Sequence, residues 1–252
     1  MKKVKYTINI IIIFLSINVN SQVLEQIKTQ VRYELDFGEQ VQNDWIKIKK
    51  FLSENEDWNN FTKEEIELID KYDAEVVEDM WDILGGGCSF YCGAGEYEVM
   101  TSSNLAEQNG IGYSSKNLRD FSYETAWVEG VKGYGIGETI EFEFSATHPR
   151  LTEIIIVNGY VKSKSVWKNN SRVKTLKMYL NSKPYGIIEL KDVYAEQSFK
   201  VEPIGHADRE NGEELIEKGT FKITFEILNV YKGDKYDDTA ITEIYFDGID
   251  VH

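Results

Sequence analysis

Between residues 23 and 84 apolar side chains recur every three to four positions, a spacing that predicts amphipathic helices. The first part of this pattern comprises Val23, Leu24, Ile27 and Val31, followed by Trp45, Ile48 and Phe51 or Leu52. No proline interrupts the stretch. We therefore expect a short helical segment ahead of the main fold.

A second helix start is predicted at Thr62. Its hydroxyl group precedes Glu64 and Glu65 at the spacing of a capping box, and acidic residues in a first turn favour the helix dipole. The apolar stripe that follows comprises Ile66, Ile69, Tyr72, Val76 or Val77, Met80, Trp81 and Leu84. The pattern predicts a helix that runs to the glycines at 85–87.

After residue 92 the pattern changes to strict alternation, which is typical of half-buried strands. The clearest case is residues 139–144, where Ile140, Phe142 and Phe144 alternate with polar neighbours. Similar stretches lie at residues 153–157, 176–180, 187–190, 198–201, 221–227 and 242–246. Seven or eight short strands separated by turn signals predict a mainly β fold, a jelly-roll β-sandwich preceded by the short helical segment.

The first residues have the pattern of a signal peptide. Three lysines, at positions 2, 3 and 5, precede an apolar run from Ile8 to Leu15 and a small, polar stretch that ends at Ser21. The run is shorter than the ~20 apolar residues that cross a bilayer. We expect residues 1–21 to be removed and the mature chain to be secreted or periplasmic, without a transmembrane segment.

The chain is strongly acidic, with a formal net charge of −15 that becomes −18 when the three lysines of residues 1–21 are removed. Such a surface repels phosphate backbones, so nucleic acid is not expected as a partner. The charge can attract a divalent cation, or it can serve solubility alone.

The chain has two cysteines, Cys88 and Cys92. Outside the cytoplasm two nearby thiols form a disulfide more often than a metal site or a redox pair. A Cys88–Cys92 disulfide is therefore predicted, and it would hold a local turn.

One motif stands out between residues 117 and 127. It places Asn117 three residues before Asp120, Thr125 five residues after that, and Trp127 two residues further on. These spacings resemble the first-loop signature of discoidin domains, the coagulation factor 5/8 type C or galactose-binding-like family. The resemblance implies a discoidin-type sandwich in which Trp127 packs in the core beneath the loop.

The same resemblance implies a structural calcium ion. Its ligands would be the side chains of Asp120 and Thr125, the carbonyl group of Ser122, and Glu243 from the last strand. Calcium takes about six to eight oxygen ligands, which a tight loop of this kind can offer. Many family members have Gly and then Asn or Asp directly after the Asp, where this chain has Phe121 and Ser122. The alternative is a loop of Asx and Ser/Thr turns without a metal.

A closer resemblance covers most of residues 80–250. This part is similar to the discoidin-like module in the translocation domain of bacterial NAD glycohydrolase toxins. The stretches that carry the resemblance are 87–93, 125–130, 135–138, 158–163, 167, 169–174 and 230–243. It implies recognition of a glycan or cell-surface component rather than NAD cleavage. The change of pattern along the chain predicts a helical segment at 22–86 and a discoidin-like sandwich at 87–252.

The run from residue 158 to residue 172 has the mixture of side chains that a carbohydrate site needs. Aromatic rings can stack on a sugar face, while amide, amino and guanidinium groups bind hydroxyl groups. The candidate ligand-binding residues are Asn158, Tyr160, Lys162, Trp167, Asn170 and Arg172. The alternative is structural, with a tight turn at 158–159, a core position for Trp167 and an ion pair for Arg172.

Sequence motifs of nucleophilic, nucleotide-dependent and zinc-dependent enzymes do not occur in the chain. The sequence therefore predicts a non-catalytic binding module for a glycan or cell-surface component. The alternative function is a secreted toxin or effector accessory protein that docks a protein partner through its N-terminal helices.

Overall fold

The computed structural model describes residues 24–55, 57–84, 97–207 and 211–250. The predicted signal peptide at 1–21 and the predicted Cys88–Cys92 disulfide lie outside these ranges. Within them no helix is long and apolar enough to cross a membrane.

The described residues form eleven strands and four α-helices. The strands are β1 (Glu25–Ile27), β2 (Thr29–Glu34), β3 (Tyr97–Thr101), β4 (Trp127–Val128), β5 (Thr139–Phe144), β6 (Leu151–Asn158), β7 (Ser171–Leu180), β8 (Lys183–Glu189), β9 (Ala195–Ile204), β10 (Phe221–Tyr231) and β11 (Thr239–Gly248). The helices are α1 (Glu39–Glu54), α2 (Lys63–Lys71), α3 (Lys164–Asn169) and α4 (Gly212–Glu217).

The strands make two layers. One layer has the order β1-β8-β7-β10-β5-β3, and the other has the order β2-β9-β6-β11 with β4 paired to β11. The layers are connected where β11 runs parallel to β7 for two residue pairs, Thr239 with Ser171 and Ala240 with Arg172.

The main core lies between the layers. The rings of Phe142 in β5 and Phe246 in β11 are 5.1 Å apart and nearly perpendicular, although the two strands are not neighbours in a sheet. Alternate residues of the central strands, such as Ile223 and Phe225, point into the same core. All seven strands predicted from alternation or short apolar runs are present, and the mainly β sandwich prediction is confirmed.

Strands β6 and β11 are buried on both faces, which explains their continuous apolar sequences. Ile156 faces the main core, while Ile155 faces outward into a second cluster with Tyr245. Leu35 and Phe37 of the N-terminal segment cover this outer face. The segment is thus a third layer packed on the β2-β9-β6-β11 sheet.

The helix prediction is wrong for residues 25–34. Strand β1 pairs in parallel with β8, and β2 pairs antiparallel with β9. Ile27 packs against the main core at this edge. The strands have 3 and 6 residues, too few for alternation to distinguish them from a helix by sequence.

Helix α2 begins as predicted but ends early. Thr62 and Glu65 form the capping box, with the Thr62 side chain accepting from the Glu65 N–H at 3.3 Å and the Glu65 carboxylate accepting from the Thr62 N–H at 2.8 Å. The helix ends at Lys71, not near residue 84, and Asp73 adopts a left-handed φ of 49°. Side chains from α1 and α2 pack around Ile48 and Ile69.

Candidate functional site

The predicted first loop folds around the side chain of Asp120. One carboxylate oxygen accepts a hydrogen bond from the Thr125 hydroxyl at 2.6 Å, and the other accepts from the Ser122 N–H at 3.2 Å. The Asn117 amide closes the loop by donating to the Ala126 carbonyl at 2.9 Å. The side chains of Asn117, Asp120 and Thr125 therefore hold one compact turn.

Glu243 reaches the same loop from β11. Its side chain is fully buried, and one carboxylate oxygen accepts from the Phe121 N–H at 2.8 Å. The other oxygen, Oε1, makes no hydrogen bond of normal geometry among the described residues, although the N–H groups of Ile244 and Ser122 lie close enough to the carboxylate to oppose the rise of its pKa. An unpaired buried carboxylate oxygen carries a desolvation cost that a bound cation would offset.

Burial raises the pKa of both carboxyl groups, and like charge adds to the shift of Glu243. Desolvation is the largest cause that raises the pKa of Glu243 well above its ordinary value, and the charge of Asp120 raises it further. Desolvation by the loop also raises the pKa of Asp120, although the hydrogen bonds from Thr125 and Ser122 oppose this shift. A positive charge beside the pair would favour the ionised form of both groups.

Phe121 adopts a backbone conformation that favours glycine. Its φ is 55°, in the left-handed region that glycine adopts without a steric cost. Its N–H donates to Glu243, its carbonyl accepts from the Ile83 N–H at 2.9 Å, and its ring lies 6.1 Å from that of Tyr245. These contacts offset the backbone strain.

The donor atoms of the loop residues are of the kind that bind a hard cation. Asp120 and Glu243 offer carboxylate oxygens and Thr125 offers a hydroxyl, the donor types that calcium prefers. Ser122 is placed in the same turn, where its hydroxyl accepts from the Glu124 N–H at 3.2 Å. Among the described residues no group of three or more His, Cys, Asp or Glu side chains could hold a metal, so the remaining ligands would be hydroxyl and carbonyl oxygens or water.

The second predicted cluster is brought together in space, but its central side chains are buried. The Asn158 side chain donates to the Val173 carbonyl at 2.7 Å and accepts from the Val173 N–H at 3.0 Å. Trp167 packs in the outer cluster, and its indole N–H donates to the Asn158 carbonyl at 2.9 Å. Stacking on a sugar, the role predicted for Trp167, requires a solvent-accessible ring face, and this residue is only 8% exposed.

Arg172 is fully engaged within the protein. Its guanidinium group makes a two-pronged ion pair with Asp192 at 2.7 and 3.1 Å, and it lies 4.3 Å from the centre of the Trp167 ring. The Asn170 amide donates to the Val166 carbonyl at 2.9 Å at the end of α3. These contacts correspond to the structural alternative weighed from the sequence.

The other two residues of the cluster differ. Tyr160 is buried against Tyr113, and burial raises its pKa to about 12. Lys162 keeps its amino group at the surface, 3.0 Å from a carboxylate oxygen of Glu124. Lys162 therefore keeps an accessible polar head.

A buried carboxylate outside both predicted sites was missed. Glu196 in β9 is fully buried and accepts from the hydroxyls of Tyr123 at 2.7 Å and Tyr245 at 2.9 Å. The sequence does indicate that Tyr245 lies on the same strand face as Glu243, because the two residues are two positions apart. The partner strand could not be inferred from spacing.

Residues 90–247 match the family model described as the NAD glycohydrolase translocation F5/8 type C domain. The match spans more than half of the sequence. The chain belongs to this family. Membership confirms the discoidin-type resemblance of the sequence and supports a binding role rather than a catalytic one for this F5/8 type C domain.

Comparison with curated proteins gives no match. Several solved structures are similar at low identity. They include the CBM32-1 and CBM32-2 domains of Clostridium perfringens ZmpB, with a TM-score of 0.39, 12% identity and coverage of 59% of this chain and 33% of that chain. The family 32 CBM of C. perfringens NanJ in complex with galactose has a TM-score of 0.39 and 11% identity, over 60% of this chain and 92% of that one.

A putative chitobiase fragment from Bacteroides thetaiotaomicron has a TM-score of 0.43 and 14% identity, covering 62% of this chain and 90% of that chain. These values are too low for residues or ligands to be transferred to the F5/8 type C domain described here. The site is therefore argued from its own geometry.

Proposed function

We propose that this protein is an exported, non-catalytic module that recognises a glycan or cell-surface component, and that a calcium ion stabilises its first loop. Membership in an F5/8 type C family supports the binding role. The observation that supports the ion is the buried Oε1 atom of Glu243, which makes no hydrogen bond of normal geometry and lies in the loop of Asp120.

The ion would act on the loop and not on a reaction. Asp120 and Glu243 repel each other when both are ionised. A divalent cation between them would attract both carboxylates and outweigh this repulsion. Thr125 is already oriented by Asp120. The loop would then be rigid before any ligand arrives, which lowers the entropic cost of binding.

Thermal unfolding of the mature protein in calcium and in chelator tests the ion. Calcium that binds only the folded state raises the Tm, and Asp120→Ala should abolish that rise. Asp237→Ala is the matched control, because Asp237 lies in a separate, exposed acidic turn. Equal Tm values of the wild type in calcium and chelator would overturn the metal proposal.

A glycan array with and without calcium tests the binding function. The expected result is binding to a defined set of glycans that weakens in chelator. Uniformly blank arrays, together with normal folding by circular dichroism, would contradict the glycan proposal and leave the protein-partner alternative.

A further inference from the structure

A cleft of about 730 Å³ opens between the end of strand β2, helix α1 and the segment that follows α2. Its walls come from both parts of the molecule. Phe37 and Tyr123 belong to the outer cluster on the sandwich, and Trp45 belongs to the helical cluster. None of the residues predicted to bind a ligand or a metal is among the described residues that line it.

The inner surface of the cleft is apolar and held in place. The ring of Phe37 lies 5.3 Å from that of Tyr123, and the ring of Trp45 lies 6.2 Å from that of Tyr72. Farther out, Leu84 lines the cleft with 45% of its surface exposed to solvent. A cleft of this size, with rigid rings and exposed apolar surface, can accept apolar side chains of a partner at a low entropic cost.

The cleft is strongly negative. The described residues that line it include five carboxylates and one ammonium group, namely Glu34, Asp36, Asp73, Asp79, Asp82 and Lys71. Lys71 is already 3.4 Å from Asp44, and Asp79 is 2.5 Å from Lys49. The other four carboxylates form no ion pair with any residue that the structure describes.

These four carboxylates are of two kinds. Asp82 accepts from the N–H groups of Glu78 and Asp79, both at 2.8 Å, and Asp36 accepts from the Gly38 N–H at 2.9 Å. Their charges are therefore fixed in position beside the apolar surface. Glu34 and Asp73 are exposed, and their carboxylates make no hydrogen bond within the described part of the chain. They are free to pair with an incoming cation.

The combination of charge and apolar surface selects the occupant. A second copy of this chain, with a net charge of −15, would bring more negative charge to the cleft, and anionic lipids or nucleic acids would be repelled as well. A small organic cation would leave most of the apolar surface uncovered. A protein segment with bulky apolar side chains on one face and lysine or arginine on the other matches both features.

We propose that this cleft docks a basic amphipathic segment of a partner protein. Apolar side chains of the segment pack on Phe37, Trp45 and Leu84, and its basic groups pair with Glu34 and Asp73. This interaction goes beyond glycan recognition and does not depend on it.

The test uses the full mature protein and a labelled synthetic peptide of leucine and lysine, amphipathic as a helix, with binding followed by fluorescence anisotropy. A counterpart with glutamate in place of every lysine is the second probe. The expected result is binding of the leucine–lysine peptide that weakens as salt is added, and no binding of the counterpart. Failure of the wild type to bind the leucine–lysine peptide, or equal binding of both peptides, would overturn the proposal.

The charge contacts are tested by the double substitution Glu34→Gln with Asp73→Asn. Asn is suited to position 73, where φ is 49°. The Kd for the leucine–lysine peptide should rise about tenfold or more. Glu189→Gln with Asp237→Asn is the matched control, because it removes the same charge at exposed positions outside the cleft and should leave the Kd within about twofold. An equal rise in both variants would mean that the peptide responds to net charge alone, which would overturn the cleft assignment.

The apolar contact is tested by Leu84→Ser. Because Leu84 is largely exposed, the Tm should not change, whereas the Kd should rise about fivefold or more. Ile136→Ser, at a 56% exposed position outside the cleft, is the matched control and should leave the Kd unchanged. An unaltered Kd in Leu84→Ser would overturn docking in the cleft. A dimer in sedimentation that Leu84→Ser dissociates would assign the cleft to a second copy and overturn the proposal.

Discussion

Without a bound cation, the ionised side chain of Glu243 destabilises the folded state. Desolvation and the charge of Asp120 raise its pKa above that of the unfolded chain. The folded state therefore binds the proton more tightly, and stability in chelator rises as pH falls through the raised pKa. Replacing the carboxylate by an amide removes this cost, because one amide oxygen can still accept from the Phe121 N–H.

We predict that Glu243→Gln has a higher Tm than the wild type in chelator at neutral pH. The difference should shrink as pH falls toward the ordinary glutamate pKa of ~4.3, where the wild-type side chain is protonated. Thermal unfolding at a series of pH values measures this, with the exposed substitution Glu189→Gln as control. A variant less stable than the wild type at every pH would contradict the prediction.

The hydroxyl of Tyr123 holds one oxygen of the buried Glu196 carboxylate. Tyr123→Phe should lower the free energy of unfolding by about 1.5–3 kcal/mol, the usual value of a hydrogen bond to a charged group. Tyr179→Phe removes a hydroxyl that donates to Glu226 on a partly exposed sheet surface and should cost less. Urea unfolding of the two variants checks the prediction. Equal losses of unfolding free energy in the two variants would contradict it.

At the scale of elements, the turn after β6 depends on Gly159. Its φ is 88°, and an added Cβ would lie 2.6 Å from the Trp167 ring. We predict that Gly159→Ala costs at least about 2 kcal/mol through backbone strain and overpacking. Gly110→Ala separates the two causes, because Gly110 has a φ of 82° with open space around it. Similar losses of unfolding free energy in the two variants would show that the ring contact is unimportant.

Most strands of the sandwich could be predicted from sequence because one face of each is polar, whereas β6 and β11 were predicted from short apolar runs. Residues 139–144 alternate perfectly, and the structure places β5 there. The N-terminal pattern was ambiguous, because residues spaced three or four apart also suit short edge strands. Residues 76–84 have helical spacing, yet Trp81 and Ile83 serve the junction with the sandwich and hydrogen-bond to the first loop. Tertiary contacts of this kind cannot be recognised from the local sequence pattern.

The two candidate sites differ in how far sequence could describe them. The loop signature assembles Asp120 and Thr125 as the resemblance implied, and β11 brings Glu243 to them from a distant part of the chain. The run from residue 158 to residue 172 is also compact, but spacing could not show that Asn158 and Arg172 satisfy backbone groups inside the fold. The burial of these side chains depends on which strands pair with each other, and strand pairing could not be inferred from this sequence alone.

At the scale of the whole molecule, the N-terminal layer is part of the fold. Ile155, Val157 and Tyr245 are fully buried beneath Leu35 and Phe37. We predict that deletion of residues 22–84 exposes this face, giving strong binding of a hydrophobic dye and a lower Tm. A truncated protein with wild-type Tm and no dye binding would show that the layer is dispensable.

This dependence affects the test of the protein-partner alternative. A deletion that removes the helices also uncovers the sheet, so loss of a partner would not show that the helices bind it. Substitutions at exposed positions of the layer, such as Trp58→Ala or Val76→Glu, leave the buried face covered. Loss of a captured partner in these variants would support docking through the helical layer.

Strands β1 and β2 also determine when the sandwich can be completed. They complete the edges of both layers, yet their partners β8 and β9 lie in the second half of the chain. One contact between them, from the Thr29 hydroxyl to the Glu189 carbonyl, spans 160 residues. Closing so long a loop is slow. During synthesis β1 and β2 emerge before β8 and β9, so they must wait for residues 183–204 before they find their partners.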